Sequence, residues 1–81
     1  MISCNDYDYI EIACLYHYPI KLTLKTGGVI EGRALDTQRI NAREEGIKVD
    51  VSGTQSTIAL DDIVKLEVTI DNPHFREVSF A

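Results

Sequence analysis

At Pro19 the spacing of apolar residues changes from a helical period to a period of two, and that switch limits this chain to few folds. Before it, Ile10, Ala13, Cys14 and His17 fall on one side of a helix at 100° per residue. Ser3, Asn5 and Asp6 are all good N-cap residues, and the residue before a proline is pushed out of the α region. The pattern predicts a helix over about residues 6–16. After Pro19, Ile20, Leu22 and Leu24 alternate with Lys21, Thr23 and Lys25, the signature of a half-buried strand. Thr26-Gly27-Gly28 is a turn, and Val29 to Asp36 resumes extended character, with Gly32 at a bend or close approach. Residues 37–45 are polar and weakly periodic, which predicts a long loop. Ile47–Val51 predicts a third strand, Ser56–Leu60 a fourth, Val64–Ile70 a fifth and Phe75–Phe80 a short last one.

One helix followed by five or six short strands with tight turns predicts a mainly β protein, a small, strongly bent barrel. With 81 residues there is room for one domain, spanning 1–81, and one small core. Hydrophobic residues at 44% and charged residues at 26% are ordinary for a globular chain and argue against disorder. The five-strand core resembles the Sm-like fold, in which a glycine bends strand two and an acidic residue often follows near its end. Gly32 and Asp36 fit those places, and an OB-like barrel is the nearest rival.

Catalytic signatures are missing: there is no glycine-rich phosphate loop, no Gly-x-Ser-x-Gly and no His-Glu-x-x-His. Asp61 and Asp62 are adjacent, so their side chains point apart, as in a solvated turn. Cys4, Cys14 and His17 are too few and too unevenly spaced for a zinc site, so neither metal nor cofactor is expected, and the cysteines read as two buried, reduced thiols. No apolar run approaches the ~18–20 residues of a membrane span and no leader pattern is visible, so the expectation is a cytoplasmic protein without a membrane partner.

The net charge is −5, which makes the chain a poor general binder of nucleic acid. Its distribution is more informative. Residues 1–18 carry Asp6, Asp8 and Glu11 and no Lys or Arg, so three of the five excess charges lie in the helical segment. Asp8, Glu11 and Leu15 share the face opposite the apolar side, flanked by Tyr7 and Ile12. All four tyrosines fall within residues 7–18. Such a face is either solvated helix surface with one stray leucine or a contact surface, with carboxylates for a partner's cations and a tyrosine as a rigid anchor.

The run Cys4-Asn5-Asp6-Tyr7-Asp8-Tyr9-Ile10-Glu11-Ile12-Ala13-Cys14, followed by His17, resembles the opening signature of the Rof family, the Rho-binding antiterminators of bacteria. The likeness continues through the Ile20–Lys25 strand and the Leu60–Ile63 connection. It implies an N-terminal helix on an Sm-like barrel, a monomer when free, that binds the N-terminal RNA-binding domains of the Rho hexamer and blocks its primary RNA sites. Carried over by position, Tyr7, Asp8 and Glu11 match the family's helix contacts, with Leu15 beside them. Arg39 and Asn41, between strands two and three, are secondary candidates. The fold alone also admits an RNA-binding Sm-like ring, or an adaptor subunit using the same helix face for another partner.

Overall fold

The computed structural model describes residues 4–80. One α-helix, α1 (Cys4–Leu15), precedes six strands: β1 (Pro19–Leu24), β2 (Val29–Arg39), β3 (Glu45–Val51), β4 (Thr54–Ala59), β5 (Ile63–Val68) and β6 (Glu77–Ser79). A single 3-10 turn, Leu60–Asp62, joins β4 to β5. The strands form one bent, antiparallel sheet in the order β4-β3-β2-β1-β5-β6, so β4 and β6 are its edges and the sheet is not closed. The expected mainly β fold with a single N-terminal helix is therefore present. Ser3, offered as a helix cap, lies outside the described residues.

The core is wholly apolar among the described residues. Ile20 and Leu22 of β1, Ile47 and Val49 of β3, and Leu66 of β5 are buried from the sheet side. Ile10, Ala13 and Cys14 close it from α1, as the helical spacing predicts. Ala13 and Ala34 are both fully buried, and their small side chains let the helix sit close to β2.

The helix ends in a hydrogen-bonded cap. The Tyr18 amide donates to the Ala13 carbonyl and the His17 amide to the Cys14 carbonyl, with His17 in the left-handed region at φ 51°. His17 Nδ1 lies 3.1 Å from the Ala34 carbonyl, and the Ala34 amide donates to Tyr18. His17 thus joins the helix end to β2, which accounts for its place in the sequence without a ligand.

Two expectations need correction. The loop expected over 37–45 is shorter, because β2 runs on to Arg39 and β3 starts at Glu45. Thr37, Gln38 and Arg39 pair with Ile47, Gly46 and Glu45, so backbone bonding sustains a polar strand end that periodicity cannot reveal. The second concerns the thiols: Cys14 is buried, but Cys4 is exposed at the start of α1, and neither is in a disulfide.

Gly32 sits where it was expected to matter. A Cβ there would stand 2.5 Å from the Asp50 carbonyl oxygen and 2.7 Å from Val49 Cγ1, so only glycine lets β3 cross this closely. Beyond it the β2–β3 register shifts between Ala34 and Asp36, a bulge that bends the sheet under the helix.

Candidate functional site

The six residues singled out in the sequence fall in two adjoining groups. Asp8, Glu11 and Leu15 are exposed on α1, and Leu15 is 71% accessible, a high value for a leucine. Glu11 and Leu15 also line a shallow groove whose other wall is Leu35, Asp36 and Thr37 of β2.

The second group converges on a residue that sequence reasoning had placed in a loop. Glu45 begins β3, and its Oε2 accepts a 2.6 Å hydrogen bond from the Tyr7 hydroxyl. Its Oε1 lies 3.3 Å from Arg39 Nη2. One carboxylate therefore ties the helix to the end of β2. Arg39 also donates to the Ala42 carbonyl at 3.4 Å. Asn41 knots the turn between β2 and β3: its Oδ1 accepts from the Arg43 and Glu44 amides, and its Nδ2 donates to Glu44 Oε1. Tyr7 and Arg39 thus meet at Glu45, with Asn41 in the adjoining turn, whereas Asp8, Glu11 and Leu15 face outward from the helix. Tyr7 is half-buried rather than fully outward.

Charge dominates this surface. The hydrogen bond to Glu45, first, raises the Tyr7 hydroxyl above its ordinary ionisation range, so it remains a donor at neutral pH. Behind the helix, burial pushes the Cys14 thiol up to about 12, and the carboxylates of Asp36 and Glu11 push in the same direction. A thiol so placed is packing, not chemistry. Among the described residues no group of three or more His, Cys, Asp or Glu side chains is placed to hold a metal ion. No helix among them is long and apolar enough to cross a membrane.

Sequence reasoning missed two features. Glu45 looked like part of a polar run, and only its pairing with Arg39 in the ladder reveals its position. Tyr16, Tyr18 and His74 stack together on the surface, a contact between distant segments that spacing cannot forecast.

Fold and surface together define a small, mainly β protein that presents an acidic helix anchored to an open, bent sheet. The model of the family described as modulator of Rho-dependent transcription termination (ROF) matches residues 1–80, and the chain belongs to that family. Protein rof of Escherichia coli (strain K12) is 36% identical over 63 residues, which are 76% of this chain and 73% of that protein. Protein rof of Shigella flexneri matches with the same figures. The solved structure of YaeO bound to magnesium from Vibrio cholerae O395 is similar with a TM-score of 0.86 and 40% identity, over 93% of this chain and 97% of that one. The family is one of regulatory modulators rather than of enzymes.

Proposed function

We propose that this protein binds the termination factor Rho and blocks its primary RNA-binding sites, so that Rho is not loaded on the transcript and termination is suppressed. One observation carries the reading: Asp8 and Glu11 stand exposed on a helix whose segment holds no Lys or Arg to neutralise them. RNA sites are built from cations that take phosphate. Carboxylates held on a rigid element compete for the same cations, and long-range attraction speeds the encounter. Asp8 and Glu11 pair with Rho cations, while Tyr7, Leu15 and the Arg39–Asn41 turn complete the contact. The protein acts in the cytoplasm as a monomer, on the N-terminal domains of the Rho hexamer, with no catalysis or cofactor.

The Sm-like ring has less support. Ring closure by strand pairing needs two open edges on each copy, and here β6 covers the outer side of β5 and leaves as that edge a strand of only three residues, Glu77–Ser79, opposite β4. The test is RNA binding to Rho with and without this protein. Loss of Rho–RNA affinity as the protein is added supports the reading, and unchanged affinity at saturating protein removes it.

A further inference from the structure

Two of the large exposed apolar side chains meet at the C-terminal end of α1. Leu15 belongs to its last turn, and Tyr16, which follows it, is 51% accessible. The Tyr16 ring stacks on His74 with centroids 4.7 Å apart and planes 23° from parallel. It also stacks on Tyr18 at 5.4 Å and 20°. Two segments therefore supply the three rings of a single surface cluster: the α1–β1 connection gives Tyr16 and Tyr18, and the stretch between β5 and β6 gives His74.

The segment that brings His74 is held in shape. Asn72 Oδ1 accepts from the His74 and Phe75 amides, and Asn72 Nδ2 donates to the carbonyls of Ile70 and Phe75. Phe75 then packs its ring against Tyr9 of α1, with centroids 5.0 Å apart. His74 is thus presented from a fixed turn docked on the helix.

This cluster is continuous with the acidic face. Asp8, Ile12 and Tyr16 succeed one another at intervals of four, so they stand along one ridge, and Glu11 and Leu15 form the next. The N-terminal half of the face is acidic, and the C-terminal half is apolar and aromatic.

We propose that the Tyr16–Tyr18–His74 stack is the second half of the partner-contact surface and receives a cationic side chain, an arginine guanidinium by preference, from a basic protein surface. This rests on the Rho-binding reading, since the same surface supplies the cations for Asp8 and Glu11. A guanidinium is planar, stacks on aromatic rings and is weakly hydrated, which suits a half-exposed ring stack beside carboxylates. Charge selects a protein over RNA. A base also stacks on these rings, but its phosphates then run against Asp8 and Glu11 on a chain of net charge −5.

The test measures binding of the full chain to Rho at low and high salt, with thermal melts of each variant. Wild type binds. Tyr16→Ser and His74→Ser melt near wild type and bind about three- to tenfold more weakly, a loss that persists at high salt because stacking is screened less than exposed ion pairs. Tyr16→Phe, which keeps the ring, binds as wild type does. If Tyr16→Ser does not fold, His74→Ser and Tyr16→Arg, which sets like charge against the cation, decide the matter by the same losses. Wild type failing to bind Rho overturns the function proposed above. Wild type binding while the folded stack variants bind equally well overturns the present inference alone. Tight binding of oligouridine to the free chain, lost in Tyr16→Ser, overturns it in favour of a nucleic-acid occupant.

Discussion

The Tyr7 hydroxyl donates a 2.6 Å hydrogen bond to Glu45, a residue 38 positions along the chain and on the first pair of the β2–β3 ladder. Arg39 meets the same carboxylate from the opposite strand. The helix is thus fixed at its N-terminal half by Tyr7 and at its C-terminal end by His17, and Asp8 and Glu11 are presented from a rigid element. Rigidity suits the proposed competition with RNA, because less conformational freedom is lost on binding.

Removing this tie loosens the helix. Tyr7→Phe and Glu45→Ala each destabilise the fold by about 0.5–1.5 kcal/mol, read as a drop of roughly 4–8 °C in melting temperature per kcal/mol for a domain of this size. Glu45→Ala also brings the Tyr7 phenol back toward its ordinary ionisation range. The folded value is raised, so this contribution is complete below pH 10.0 and is lost as the pH rises through the folded value. Phenolate absorbance in a pH titration checks both statements.

Reversing the helix charges separates binding from folding. Asp8→Lys and Glu11→Lys change exposed side chains, so their melts stay within about 0.5 kcal/mol of wild type. Each weakens Rho binding by on the order of tenfold, and the difference narrows as salt is added. A variant that unfolds, or a pair that inhibits normally, contradicts the assignment of this face.

The two thiols differ in reactivity. A thiol reagent at pH 8 modifies exposed Cys4 promptly, whereas Cys14 reacts only after denaturant is added. With its folded value raised from 9.0 to about 12, Cys14 leaves stability unchanged below pH 9.0, and stability declines from there to about 12 because the unfolded thiol ionises first. Prompt labelling of both cysteines in the native protein counts against the helix packing described.

Gly32→Ala forces β2 and β3 apart, since its Cβ meets the backbone of Asp50 and the side chain of Val49. Neither neighbour gives way easily. The expected loss is about 1–3 kcal/mol, measured by chemical or thermal unfolding. A Gly27→Ala control has space around its Cβ but a positive φ of 92°, so its cost is conformational strain alone.

Much of this was legible along the chain because local periodicity and burial agree. Ile10, Ala13 and Cys14 share a helical face, and Ile20 and Leu22 alternate, so both elements declare which side is inside. Gly32 and the glycine turns state where the backbone must bend or approach. Asp8, Glu11 and Leu15 were readable as exposed because they stand opposite that buried face. The rest depends on long-range pairing. Thr37–Arg39 and Thr54–Thr57 are polar residues in strands, held by their ladder partners rather than by an apolar pattern. Tyr7 with Glu45 and Tyr16 with His74 meet only once the sheet has bent and the helix has docked on it.

The central claim is tested most directly by titrating this protein into a preformed mixture of Rho and a labelled RNA ligand for its primary sites, with Asp8→Lys/Glu11→Lys in parallel. Displacement of the RNA by wild type, and much weaker displacement by the double variant at equal concentration and salt, is the predicted result. RNA that stays bound to Rho at saturating wild-type protein, or leaves it equally well with the double variant, contradicts the claim that this acidic helix competes with RNA for Rho.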